Sequence, residues 1–130
     1  MEQFVICSDG DVVRVRQAVR ALAVKAALSI VDQTKIVTAA SELARNTLIH
    51  GGGGNAEIEL INENGRVGLW ARFSDDGPGI ADTERALAGG NSTGRGLGLG
   101  LSGSRRLVDH FDLDTEVGRG TRVTVTKWKR

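Results

Sequence analysis

Glycine stands at every second position from Gly94 to Gly100, in the run Gly-Arg-Gly-Leu-Gly-Leu-Gly-Leu-Ser-Gly that closes at Gly103. Residues without a Cβ let the backbone take positive φ and let a ligand come close. A helix that starts just after such a loop aims its free N–H groups and its positive dipole end back into it. Together these make an anion site, most often for phosphate. A flexible linker is the alternative, but linkers favour serine and polar residues, and here Leu97, Leu99 and Leu101 alternate with the glycines. Gly98, Gly100 and Gly103 also satisfy the dinucleotide spacing G-x-G-x-x-G, which needs a strand just before it and a βαβ unit around it. The preceding residues read as loop and only 27 residues follow Gly103, too few for a doubly wound domain. No Gly-Lys-Ser/Thr follows, so a Walker loop fails as well.

Three other stretches could join this loop in one site. Glu42 and Asn46 are four residues apart on a predicted helix, which stacks them one turn apart on one face. An amide oxygen suits Mg²⁺, a hard cation that takes few protein ligands and completes its shell with phosphate oxygens. A nearby carboxylate can orient or deprotonate an attacking hydroxyl. A solvated helix face is the plainer reading. Next, Asp75-Asp76-Gly77-Pro78-Gly79-Ile80 reads as a turn at a strand end, or as a carboxylate placed to accept from an exocyclic amine while glycines let backbone lie against a purine. Last, Gly120-Thr121 opens the final strand, where the hydroxyl could satisfy that aspartate or a ring nitrogen, or be an ordinary turn residue.

Hydrophobic spacing supplies the elements that must position these groups. Phe4 to Cys7 reads as a strand. A helix follows from Asp11 to about Leu28, with Val12, Val15, Val19, Leu22, Ala23 and Ala26 on one stripe and Asp9 or Asp11 as cap. A second helix runs from about Asp32 to His50, with Ile36, Val37, Ala40, Leu43, Ala44, Thr47 and Leu48 inward; Gly51 to Gly54 ends it, read as a helix stop in preference to a ligand contact. His50 reads as a partner for the helix dipole. Asn55 to Ile61 and Arg66 to Ser74 alternate around the turn Asn62-Glu63-Asn64-Gly65, a hairpin. Asp75 to Thr93 reads as loop with one helical turn near Thr83 to Leu87. The residues from Leu101 or Ser104 to Phe111 read as a helix, and Leu113 to Val117 and Thr121 to Trp128 as strands. The expected fold is an α/β two-layer sandwich, a mixed, mainly antiparallel sheet with three helices on one face.

At 130 residues, 40% apolar and 25% charged, the chain reads as one globular domain spanning 1–130. With 17 basic against 16 acidic residues it carries no electrostatic footprint for nucleic acid, and Arg14, Arg16 and Arg20 read as a solvated helix face. The single cysteine, Cys7, excludes an internal disulfide framework and reads as a buried, inert thiol. No charged-then-apolar leader opens the chain and Lys25 interrupts the longest apolar run, so a cytoplasmic protein is expected, with no membrane partner.

Taken in order, Glu42-x-x-x-Asn46, Asp75-x-Gly77-x-Gly79, Gly96-x-Gly98-x-Gly100 and Gly120-Thr121 resemble the motifs of the GHKL (Bergerat-fold) ATP-binding superfamily. Within it, Glu42-Leu43-Ala44-Arg45-Asn46, the run from Gly98 into Arg106-Leu107, and Lys127-Trp128 look most like the RsbT-type serine/threonine kinases. The resemblance implies ATP and Mg²⁺ as cofactors. Asn46 would hold the metal, Glu42 would act as general base, and Asp75 would read the adenine amine with Gly77, Gly79 and Thr121 beside it. Gly96, Leu97, Gly98, Leu99, Gly100 and Leu101 would take the phosphates. It further implies a STAS-domain protein as phosphoryl acceptor, a PP2C-type phosphatase or sigma factor as a further partner, and a homodimer as an open option. The alternative is a nucleotide-dependent binding module, an anti-sigma factor or phosphatase activator, with little phosphotransfer. Histidine kinases need a phosphoacceptor hairpin upstream of Glu42, and gyrase-like relatives need a longer lid than the 14 residues between Gly79 and Gly94.

Overall fold

A computed structural model describes residues 1–88 and 101–130. The elements run β1 (Glu2–Ile6), α1 (Asp9–Lys25), α2 (Ile30–Ile49), β2 (Gly54–Glu63), β3 (Arg66–Asp75), α3 (Thr83–Ala88), α4 (Leu101–Leu107), β4 (His110–Glu116) and β5 (Gly120–Trp128). The strands form one sheet in the order β1-β2-β3-β5-β4. Every pairing in it is antiparallel, so the expected antiparallel majority is complete.

Period-2 spacing puts Ala56 and Ile58 of β2, Leu69, Ala71 and Phe73 of β3, and Val123 and Val125 of β5 on one face of the sheet. All are buried, and they share one core with Val12, Val15 and Val19 of α1 and Ile36, Val37 and Leu43 of α2. The two long helices thus cover a single face of the sheet, each with its apolar stripe inward. β4 closes one side of the sheet, and its Asp112, Asp114 and Glu116 are exposed.

Local chemistry sets the helix starts. The Ser8 hydroxyl caps α1 by accepting from the Asp11 amide at 3.3 Å, and Ser29 caps α2 by accepting from the Asp32 amide at 3.1 Å. Neither Asp9 nor Asp11 is the cap that the spacing suggested. The Asp11 carboxylate turns back instead, accepting from the Cys7 amide at 2.9 Å and the Cys7 thiol at 3.2 Å. These bonds hold Asp11 well below the usual carboxylate range. Cys7 is exposed rather than buried. Its bond to the Asp11 carboxylate pushes the thiol's pKa up, so it stays protonated and a poor nucleophile.

α4 ends at Leu107, four residues short of the expected end, because His110 and Phe111 pair with Thr126 and Val125 on β5. The strand expected from Leu113 thus starts three residues earlier, at His110, because Phe111 continues the alternation of Leu113 and Thr115 that the helical reading of Ser104 to Phe111 had cut short.

One polar knot lies beneath the helices. Lys127 projects from β5 into the helix-covered side, with only 4% of its side chain exposed. Its Nζ lies 3.5 Å from Asp32 in the first turn of α2 and 3.9 Å from Asp109. Asp109 also accepts from the Trp128 amide at 2.7 Å and pairs with Arg130. The start of α2 is thereby tied to the end of β5. No helix among the described residues is long and apolar enough to cross a membrane.

Candidate nucleotide site

The register of the sheet lines up Asp75 on β3, Thr121 on β5 and Thr115 on β4 as direct neighbours. Two residues beyond Phe73, Val123 and Leu113 in the same period, the three side chains take the helix-covered side at one end of the sheet. The C-terminal half of α2 lies over this row. Leu43, Asn46, Thr47, His50 and Gly51 come from α2 and its end, while Pro78, Gly79 and Ile80 come from the turn after β3. With Phe73, Asp75, Thr121, Val123 and Leu101 they line one cavity. Its walls are largely apolar, with a short list of polar groups at one end.

Asp75 is the charged group of that end. Burial pushes its carboxyl pKa up, against the opposing pull of the Gly77 and Thr121 amides. The Gly77 amide donates to its Oδ1 at 2.9 Å. Asp76 is exposed, so of the adjacent pair only Asp75 faces the cavity.

The turn after β3 is fastened to the β4–β5 hairpin. The Gly118 amide donates to the Pro78 carbonyl at 2.8 Å, and the Ile80 amide donates to Thr115 Oγ1 at 3.0 Å. Gly79 has φ +75°, and a Cβ there would collide with the Glu116 carbonyl oxygen. Only glycine fits both the angle and the approach. Gly51 is required on the other side, since a Cβ on it would overlap the Asp75 carboxyl group. The glycines at the end of α2 were read as a helix stop, and the amides of His50 and Gly51 do bond the Asn46 carbonyl, at 2.9 and 3.1 Å. Gly51 also lets α2 approach β3 closely enough to wall the cavity.

Of the residues singled out by sequence, Asn46, Asp75, Gly79, Leu101 and Thr121 share this cavity. Gly77 stands behind it as a donor to Asp75. Glu42 is half-buried on α2, one turn before Asn46, and is not part of the cavity wall. Gly96, Leu97, Gly98, Leu99 and Gly100 lie outside the described residues. Sequence reasoning assigned no site role to Thr47, His50 or Thr115, and preferred a helix stop to a ligand contact for Gly51. His50 was assigned to the helix end, which it caps, although it also faces the cavity. Thr115 carries no local signal, because only the pairing of β4 with β5 brings it to the row.

The profile of the family described as "Histidine kinase-, DNA gyrase B-, and HSP90-like ATPase" matches residues 31–130. This chain belongs to that family. The GHKL domain is 42% identical over 125 residues to the serine/threonine-protein kinase RsbT of Bacillus subtilis (strain 168), covering 96% of this chain and 94% of that protein. Among solved structures, the histidine kinase domain of the blue-light activated histidine kinase from Erythrobacter litoralis EL346 superposes with a TM-score of 0.57 at 20% identity. That match covers 91% of this chain and 59% of the other. The crystal structure of the SiaB–SiaC complex from Pseudomonas aeruginosa gives 0.57 at 14% identity, over 98% of this chain and 89% of that one. At such identities these structures establish a shared fold. Within the GHKL family, the chain falls with the serine/threonine kinases.

Proposed function

We propose that this chain is an ATP- and Mg²⁺-dependent serine/threonine protein kinase of a bacterial partner-switching module, acting on a STAS-domain protein. The observation that carries the reading is the convergence of Asn46 on α2, Asp75 and Thr121 on the sheet, and Leu101 at the start of α4 around one cavity. The residues suit the group. Phe73, Val123, Leu43 and Ile80 form an apolar wall for a purine ring. Asp75 at its end is a half-buried acceptor whose carboxyl pKa is raised by that partial burial, an environment that gains from an amine donor.

In this reading Asp75 accepts from the exocyclic amine of adenine, with the Gly77 amide holding its other oxygen in place. Asn46 offers an amide oxygen to Mg²⁺, which neutralises phosphate charge when bound. Glu42, one turn earlier, accepts the proton of the incoming serine or threonine hydroxyl. Leu101, with Gly96, Leu97, Gly98, Leu99 and Gly100, supplies backbone amides for the phosphates. Most of the catalysis is positioning and charge stabilisation. The phosphorylated partner gains about −1.5 to −2 charge, which changes its affinity for the kinase. The released kinase then engages a PP2C-type phosphatase or a sigma factor. The reading places the whole activity in one domain over residues 1–130 and in the cytoplasm.

The test is transfer from [γ-³²P]ATP to a purified STAS-domain protein. Labelling of serine or threonine is expected. Tight Mg-ATP binding with no label on any acceptor would replace the kinase by a nucleotide-dependent binding module.

Asp75 adds a pH dependence. Its carboxyl titrates in a window that opens at the ordinary value of 3.8 and extends upward. As pH falls through that window the carboxyl takes a proton and stops being a pure acceptor, so ATP affinity declines. The fold responds with the opposite sign. The folded state binds this proton more tightly than the unfolded chain, so its contribution to stability is present at low pH and is lost as pH rises through the window. Asp75→Asn should remove the protein's part of the acid limb of ATP binding and leave that of the nucleotide. Titration calorimetry of both proteins across pH measures the difference, and superimposable profiles would remove Asp75 from adenine recognition.

A further inference from the structure

We propose that Thr115, on β4 behind the cavity, holds the turn from Asp75 to Ile80 in its ligand-receiving shape before nucleotide arrives, and so sets how tightly the site binds nucleotide without touching it. The inference rests on the nucleotide-binding reading above and adds a positioning residue to it.

The turn has little of its own to keep it in shape. Asp76 and Pro78 are exposed, and Gly77 and Gly79 contribute backbones that lose the most freedom on being ordered. Its internal bond runs from the Gly77 amide to Asp75 Oδ1 at 2.9 Å. Beyond Asp75, its restraints come from the β4–β5 hairpin. The Gly118 amide donates to the Pro78 carbonyl at 2.8 Å, and Gly79 lies too close to the Glu116 carbonyl oxygen for a Cβ to fit. The Ile80 amide donates to Thr115 Oγ1 at 3.0 Å. Of these three restraints only the last uses a side chain of the hairpin, so a substitution can remove it and leave the backbone contacts standing. An amide can only donate, so the direction of this bond is fixed however Thr115 and Thr121 share their protons. Thr115 is steadied in turn by the Gly120 carbonyl oxygen, an acceptor at 2.9 Å.

Pro78, Gly79 and Ile80 line the cavity, and Thr115 stands outside that lining. Cut loose from Thr115, the Ile80 end of the wall has to be ordered by the ligand at the moment of binding, and that ordering is subtracted from affinity. The loss falls on ATP and ADP alike. The transfer step is spared, because the groups assigned to it, Glu42 and Asn46, belong to α2 and not to the turn.

The experiment measures ATP and ADP dissociation constants, the transfer rate at saturating ATP, and hydrogen exchange of the Ile80 amide in the nucleotide-free full chain. Thr115→Val keeps the shape and removes the acceptor for Ile80. It should weaken ATP and ADP equally, roughly 10-fold, speed the Ile80 exchange, and leave the saturated transfer rate unchanged. Thr115→Ser should restore all three. Thr115 also lies 2.9 Å from the Thr121 hydroxyl, so the pair is tested as a double-variant cycle. In a Thr121→Val background the Thr115→Val change should cost the same factor in affinity as in the wild type. Unchanged ATP affinity beside faster Ile80 exchange, a loss that vanishes in the Thr121→Val background, or a saturated transfer rate that falls as far as the affinity does would overturn the inference. Should the valine variant not fold by circular dichroism, Thr115→Ala takes its place with the same outcomes. Wild-type protein that binds no purine triphosphate would overturn the nucleotide-binding reading and this inference with it; the Ile80 exchange, read without ligand, tells that failure from a turn that Thr115 does not hold.

Discussion

Glu42→Gln is expected to bind Mg-ATP as the wild type does and to transfer the phosphoryl group roughly 10²–10⁴-fold more slowly. Glutamine matches glutamate in shape but cannot take a proton from an attacking hydroxyl. Affinity is expected to survive because Glu42 lies one helical turn before Asn46, outside the wall of the cavity proposed for the purine. The 3.6-residue repeat of α2 still places it on the same side of the helix as Asn46, where the proposed roles of metal ligand and general base would bring it to the incoming hydroxyl. Single-turnover transfer beside equilibrium ATP binding separates the two effects. Unchanged transfer would leave Glu42 as an ordinary residue of α2.

Lys127→Met is expected to destabilise the fold by about 3–5 kcal/mol. Lys127 is 4% exposed at its side chain and Asp32 is 11% exposed. Removing the ammonium leaves the Asp32 carboxylate with little water and without its buried partner. Asp109 suffers less, since the Trp128 amide and Arg130 still serve it. Asp32→Asn in the same chain should recover part of the loss, because the amide carries no charge to strand. Chemical denaturation of the two single variants and the double variant measures the coupling. A loss no larger than that of an exposed lysine would show that the three groups are no knot.

These two residues also mark what one chain of letters conveys. The inward stripes of α1 and α2 and the alternation through β2 and β3 are local periodicities, so the helices and the hairpin were legible. The pairing of Glu42 with Asn46 is local too, as is the turn around Gly77 and Gly79. The order of strands is not local. The neighbour relation of Asp75, Thr121 and Thr115 depends on β5 lying between β3 and β4, which no short-range pattern encodes. Gly51 does stop α2 as its sequence suggests, but its second role was hidden for a similar reason: a glycine that stops a helix and a glycine that admits a carboxylate look alike until the partner is known. Cys7 sat in an apolar run, yet the capping turn at Ser8 brings it to the surface against Asp11.

β4, at the rim of the sheet, holds Asp112, Asp114 and Glu116 in exposed alternation. An outer strand invites another chain to zip onto it, and three carboxylates there would meet their own likeness on an approaching copy. Like charges brought face to face repel, so the charge pattern of this rim opposes sheet extension from one copy to another.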